Sequence, residues 1–172
     1  MKSYVIHHES SVERNDIIEA LKQKTGAIVV DAVWLDDRVR GCLFSHVKVA
    51  ERAKQDAPGK PYLVFEDDCE LLKDIDEILS NLQEADITYL GYNDQSEDKQ
   101  ILYGTHAMVI SPPVRELILE VAPQVNQPYD HFLSFLANYF KMRIAKPSYE
   151  EREASVRQKK GLISTITGGK RE

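Results

Sequence analysis

Three acids in a row, Glu66-Asp67-Asp68, follow directly on the apolar run Pro61-Tyr62-Leu63-Val64-Phe65. Two carboxylates about 4 Å apart repel by about 1 kcal/mol in water and about 4 kcal/mol near a protein surface, so this crowding calls for a cation. A divalent metal removes the cost. Oxygen-only ligands suit Mg²⁺ or Mn²⁺, ions that keep coordination positions open for substrate phosphates. The run before the acids has the composition of a strand buried on both faces. Parallel sheets covered by helices contain such strands and take ligands at their carboxyl ends. The same residues also have a purely structural reading, because Asp and Glu favour turns and the first turns of helices, and Asp68 or Glu70 is placed to start one.

The acids need a scaffold, and the chain around them alternates strands and helices. Ser3 to His7 reads as a first strand, and Ser10 or Ser11 offers a helix N-cap. Val12, Ile17, Ile18 and Leu21 then share a helical face, and Gly26 is a natural stop. Ala27 to Val33 gives a second strand, which makes a βαβ beginning with a right-handed crossover. Val39, Leu43, Val47 and Ala50 predict a helix ending before Pro58-Gly59 and leading into the acidic strand. Ile75, Ile78, Leu79 and Leu82 predict another helix, Ile87 to Leu90 a strand, and Gly91 to Lys99 a polar loop. Ile101 to Ser111 reads as strand material that is antiparallel or at an edge. Pro112-Pro113 opens a helix through Val121. Tyr129 to Phe140 forms an apolar helix in which Tyr139 and Phe140 read as core residues, and Met142 to Ala145 forms a last strand. Beyond Ser148 no apolar stripe continues, so residues 149–172 read as a polar C-terminal segment after one domain spanning 1–148.

Composition narrows the class. With 172 residues, 42% hydrophobic and 29% charged, the chain suits a single globular α/β domain. A net charge of −6 argues against nucleic acid as a partner, since phosphate binding needs a concentrated basic surface. Cys42 and Cys69 are isolated and read as small packing residues, so neither a zinc site nor a disulfide framework is expected. No stretch is apolar for the roughly 18 residues that a membrane span needs, and the apolar run at the N-terminus is too short for a leader. The expected setting is the reducing cytoplasm.

Three segments, taken in order, resemble glycosyltransferase family 25, the group containing lipopolysaccharide and collagen galactosyltransferases. Gly41-Cys42-Leu43-Phe44-Ser45-His46 is similar to a G-C-x-x-S-H helix, and Leu63 to Asp68 to a strand ending in E-D-D. Thr105-His106-Ala107-Met108-Val109-Ile110-Ser111 is similar to a T-H-A-Y-x-I-S element. Pro128-Tyr129-Asp130-His131-Phe132-Leu133 resembles a P-x-D-x-x-L segment, and Ser164-Thr165-Ile166 a C-terminal S-x-I. The chain departs from the family at its N-terminus, where Val5-Ile6-His7-His8 and, at a distance, Glu13-Arg14 stand in place of an I-N-L strand and a D-R element.

The resemblance implies a GT-A-like fold: a mostly parallel, Rossmann-type sheet with helices on both faces and a small acceptor-side region. It implies transfer of a hexose from a nucleotide sugar, with UDP as the nucleotide, to a glycan or protein hydroxyl with inversion. Mn²⁺ or Mg²⁺ would be held by Glu66 and Asp68. Asp67, Arg14, His106 and Ser164 become candidate donor contacts, and the basic end of the chain a candidate lid over the diphosphate. Inversion needs a general base, for which Asp130 is the candidate and Asp94 the reserve. Asp130 also reads as an ordinary helix-start aspartate. His46 is either a satisfied core histidine or a brace for the acidic loop. Tyr139 or Phe140 could stack on an acceptor sugar. The alternative function is a non-catalytic nucleotide- or sugar-binding module of the same fold.

Overall fold

A computed structural model of the chain describes residues 1–93 and 102–159. The first strand, β1 (Lys2–His7), is followed by a 3₁₀ turn at Val12–Arg14 and helix α1 (Asn15–Thr25). Ile17, Ile18 and Leu21 form the buried side of α1, whereas Val12 is 67% exposed in the turn before it. The helix stops at Gly26, which takes the left-handed conformation at φ 66° and returns its N–H to Lys22 O; a residue without Cβ adopts this freely. Strand β2 (Ile28–Asp31) follows, then the long helix α2 (Arg38–Asp56), whose cap Asp37 accepts from the amides of Val39 and Arg40. Next come β3 (Tyr62–Glu66), a short β4 (Cys69–Leu71), α3 (Ile75–Ser80) and β5 (Ile87–Asn93). The rest consists of β6 (Tyr103–Ile110), α4 (Pro112–Val121), α5 (Tyr129–Tyr139), β7 (Ile144–Ala145), α6 (Tyr149–Ser155) and β8 (Val156–Gln158).

Six strands form one sheet in the order β2-β1-β3-β6-β5-β7. β1, β2, β3, β5 and β7 share a direction and β6 alone opposes them, pairing antiparallel with both β3 and β5. The expected mostly parallel α/β sheet with helices on both faces is therefore present. Side-chain alternation along β1 and β3 divides the core in two. Tyr4, Ile6, Tyr62 and Val64 pack with α2, α4 and α5 on one face, while Val5, Leu63 and Phe65 pack with α1 and α3 on the other.

Several expectations change. β5 runs on through residues 91–93, where a polar loop is expected, and β6 lies inside the sheet rather than at its edge. Asp68 and Glu70 start no helix: the chain turns after Glu66 into β4, which pairs antiparallel with β8, Cys69 opposite Gln158. The segment from Tyr149 to Gln158, expected to be a polar arm, forms α6 and β8 instead. A capping box between Ser148 and Glu151 starts α6, which buries Arg152, and Val156 enters the second core. Its few apolar residues are spaced for a half-turn of helix and one strand face, too short for a periodic signal. Finally, Tyr139 and Phe140 are not core residues but 71% and 48% exposed. The buried stripe of α5 is Tyr129, Phe132, Leu133, Leu136 and Ala137. Tyr139 falls beside that stripe, and Phe140 caps the helix where the chain leaves it.

Candidate functional site at the end of the third strand

The alternation that sorts the core also separates the three acids. Glu66 continues the Tyr62–Val64 side of β3 and meets α2, while Asp67 continues the Leu63–Phe65 side and meets the turn before α1. All three side chains are buried, Asp67 and Asp68 completely.

Around Glu66 the structure gathers residues from three separate stretches, α2, β6 and α5. Thr105 on β6 donates its hydroxyl to Glu66 Oε1 at 2.6 Å, and His46 Nε2 on α2 lies 3.4 Å from the same oxygen. The His46 ring is stacked on Tyr129 of α5, centroids 3.8 Å apart and planes 10° from parallel. Burial pushes the Glu66 carboxyl up, but the hydrogen bond and charge of His46, with Thr105 and His106, outweigh it and hold the group below its usual range. Glu66 is thus kept ionised in the interior.

The run from Gly41 to His46 now has a physical explanation. A Cβ at Gly41 would lie 2.8 Å from Val33 O, so glycine lets α2 pass directly against the chain after β2. Ser45 fastens that contact, donating to Gly41 O at 2.7 Å and accepting from Val33 N at 2.8 Å. With α2 fixed in this way, His46 projects onto Glu66. Cys42, one turn earlier, brings its sulfur within 4.8 Å of the His46 and Glu66 ligand atoms. Burial first, and then the charges of Glu66, Asp130 and Asp68, push the Cys42 thiol well up, which keeps it protonated and suits its expected packing role.

Asp67 accepts from both sides: Arg14 NH1 bonds to Oδ1, and His7 Nδ1 lies 3.1 Å from Oδ2. Arg14 is wholly buried, and its ion pair with Asp67 ties the 3₁₀ turn to the acidic loop while His7 ties β1 to the same carboxylate. Asp68 is held by the β4–β8 ribbon. Gln158 Nε2 donates to its Oδ2 at 2.7 Å, and its main-chain oxygen accepts from Lys159 N at 2.9 Å. The Asp68 Oδ1 is buried and has no hydrogen-bond partner among the described residues. Burial, followed by the charge of Glu66, pushes the Asp68 carboxyl up to about 7.

His106 is buried on β6 against Gly91 of β5, where a Cβ at position 91 would fall within the imidazole ring. Burial drives its basicity down to about 4, with the Glu66 charge working in the opposite direction and Arg152 adding to the fall. Asp130 stands in the first turn of α5, half-buried, with Oδ1 accepting from His131 N at 2.9 Å. It does not cap the helix, a position held by Pro128. Its charge is felt at Cys42 and Tyr89, which places it on the Glu66 side of the sheet. Asp94 and Ser164 lie outside the described residues.

The structure therefore brings Glu66, Asp68, His46, Thr105 and Asp130 to one end of the sheet, with Arg14 and Asp67 on the opposite face as a buried pair. Sequence reasoning missed Thr105, Tyr129, Gln158 and His7 as partners. Thr105 and Tyr129 stood inside noted motifs, next to the residues singled out, whereas nothing local marks Gln158, which meets Asp68 across 90 positions.

No protein-family model matches this sequence, and no curated protein matches it. Among solved structures, the chain is similar to a glycosyltransferase involved in the glycosylation of the major capsid of PBCV-1, with a TM-score of 0.65 at 12% identity over 95% of this chain and 94% of that one. Looser likenesses are to the inositol-1-phosphate CTP transferase of T. maritima (TM-score 0.49, 13% identity, 85% of this chain, 66% of that one) and to the glycosyltransferase GlyE of Streptococcus pneumoniae TIGR4 (0.45, 12%, 87% and 39%). At those scores they carry no weight. The end-to-end match to the first, with the sheet described above, shows a GT-A-like glycosyltransferase fold.

Proposed function

We propose that the chain is a glycosyltransferase of family 25 type, moving a hexose from a nucleoside diphosphate sugar, UDP being the nucleotide, to a hydroxyl of a glycan or protein with inversion. The observation that carries this is Asp68: a buried carboxylate at the carboxyl end of the central strand, one oxygen without a partner among the described residues and a second acid, Glu66, beside it.

These residues fit a hard divalent cation. The unpartnered Oδ1 and the raised proton affinity of Asp68 are both costs of holding a carboxylate there without positive charge, and an all-oxygen donor set suits Mn²⁺ or Mg²⁺. Glu66 and Asp68 would hold the ion, and when bound it would neutralise charge on the departing nucleoside diphosphate. The protein's own part is positional. His46 and Thr105 keep Glu66 ionised and oriented, and Gln158 does the same for Asp68. Arg14, Asp67 and His106 support donor binding from beneath, by fixing the acidic loop and the β5–β6 pair against it. Asp130, its orientation set by the His131 amide, takes the proton from the acceptor hydroxyl as that oxygen attacks the sugar.

The test is release of UDP from UDP-hexoses by the wild type, Asp68→Asn and Asp130→Asn, with and without Mn²⁺. The expected result is metal-dependent turnover, lost in Asp68→Asn and reduced about 10²–10⁴-fold in Asp130→Asn while donor binding persists. Donor binding without turnover in the wild type, across a panel of acceptors, would identify a binding module instead.

A further inference from the structure

The C-terminal end of α5 and the turn beyond it carry a surface that the proposed transfer reaction does not use. Phe135, Tyr139 and Phe140 are exposed at 53%, 71% and 48%. They form one cluster, Phe135 stacked on Tyr139 at 5.7 Å between centroids and Tyr139 edge-on to Phe140 at 5.0 Å. Ile144, on the outermost strand β7, is also exposed. Exposed aromatics scattered singly need no explanation, but a contiguous group of this kind marks an interaction surface.

The charge around the cluster indicates its partner. The whole chain has 28 acids and a net charge of −6, yet between His131 and Tyr149 there is no aspartate or glutamate, while Lys141, Arg143 and Lys146 all occur there. The backbone of Lys141 takes a positive φ of 51° at the turn where α5 ends, so this basic stretch follows directly on the aromatics. Lys146 turns onto the Tyr92 ring, and Arg143 has Asp86 beside it, 3.6 Å from its guanidinium, while remaining 67% exposed. Lys141 directly follows Phe140 in sequence, and both Lys141 and Arg143 are exposed. Rings of mixed apolar and polar character with basic neighbours are the composition that settles at the headgroup level of a bilayer. A second copy of the chain fits poorly, because a two-fold contact through this face would set Lys141 and Arg143 of one copy against those of the other.

We propose that the Phe135-Tyr139-Phe140 cluster, with Lys141 and Arg143, is a docking face for an anionic lipid bilayer. No helix among the described residues is long and apolar enough to cross a membrane, so this contact is peripheral. An acidic protein approaches an anionic surface favourably only through such a locally basic face, which fixes its orientation there.

The test is co-sedimentation of the full chain with vesicles of phosphatidylcholine alone and of phosphatidylcholine mixed with phosphatidylglycerol. No nucleotide or acceptor is present, so the outcome is independent of the transferase reading. The expected result is binding to the mixed vesicles that weakens with salt, is lost in Phe135→Ser/Tyr139→Ser, and falls about 30-fold in Lys141→Gln/Arg143→Gln, at about fivefold per cation. All substituted side chains are exposed, so folding, checked by circular dichroism, is expected to be intact. The proposal is overturned by no binding to the mixed vesicles, by equal binding to neutral ones, or by binding that both variants retain. Concentration-dependent dimerisation in ultracentrifugation, abolished by the aromatic variant, would assign the face to a second copy and overturn it too.

Discussion

His106 is expected to make stability depend on pH with a definite sign. Its imidazole is buried between β5 and β6 against Gly91, and burial brings its basicity from the usual 6.5 down to about 4. Among the charges that act on it, Glu66 and Glu153 favour protonation and Arg152 opposes it, so the neutral ring prevails in the folded state. Because the folded value lies below the unfolded one, the stabilisation is present above about pH 6.5 and is lost as pH falls through 4. A shift of about two and a half units at about 1.36 kcal/mol each gives about 3 kcal/mol in all, of which about 2 kcal/mol disappears between about pH 7 and pH 5. The assay is urea unfolding of the wild type and His106→Gln across that range. Glu66, the carboxylate coupled to His106, is held below its usual range and stays ionised between about pH 5 and pH 7, so over that window the difference between the two curves reports the imidazole. The wild type should lose about 2 kcal/mol more than the variant on going from about pH 7 to pH 5. Parallel curves would refute the claim that a neutral, desolvated His106 belongs to the folded state.

Three further outcomes follow from the same geometry. Gly91→Ala should destabilise by about 1–3 kcal/mol or more, because its methyl group meets the His106 ring, and His106→Ala should relieve much of that loss, a coupling that a double-mutant cycle by thermal unfolding reads directly. Asp67→Ala leaves the buried Arg14 guanidinium without its carboxylate and should cost about 3–5 kcal/mol in chemical unfolding, far more than removal of an exposed pair such as Lys73–Glu77. The folded-state value of Asp68 is raised, so its ionised form opposes folding. The Asp68 contribution to metal-free stability should therefore fall as pH rises from about 4 towards 7, so that over this range the wild type loses up to about 4 kcal/mol relative to Asp68→Asn, measured in chelator by urea unfolding.

Much of the fold was legible because its signals are local. The apolar run at Tyr62–Glu66, the stop at Gly26 and the two prolines opening α4 each specify an element within a few residues. For β6 the sequence left antiparallel or edge pairing open, and β6 proves antiparallel but lies inside the sheet, between β3 and β5. The β4–β8 ribbon was not legible. Each strand is three residues long, and their pairing joins positions nearly 90 apart, so no periodicity announces it. In the site, the crowding of Glu66 and Asp68 at a strand end could be read from the residues themselves and His46 was singled out through the family resemblance, but the division of labour among the acids could not be read. That division depends on which side of β3 each one leaves: Glu66 turns to His46 and Thr105, and Asp67 to Arg14 and His7. Asp67 thereby acquires an anchoring role, where the family resemblance implied a donor contact.

The measurement that bears most directly on the proposed cation and donor site is calorimetric titration of UDP into the wild type and Asp68→Asn, each with Mn²⁺ and again after chelation. Binding in the wild type that needs Mn²⁺ and disappears in Asp68→Asn is the expected result. UDP binding that survives both chelation and the loss of the Asp68 carboxylate would contradict the assignment of that carboxylate to a donor-bound cation.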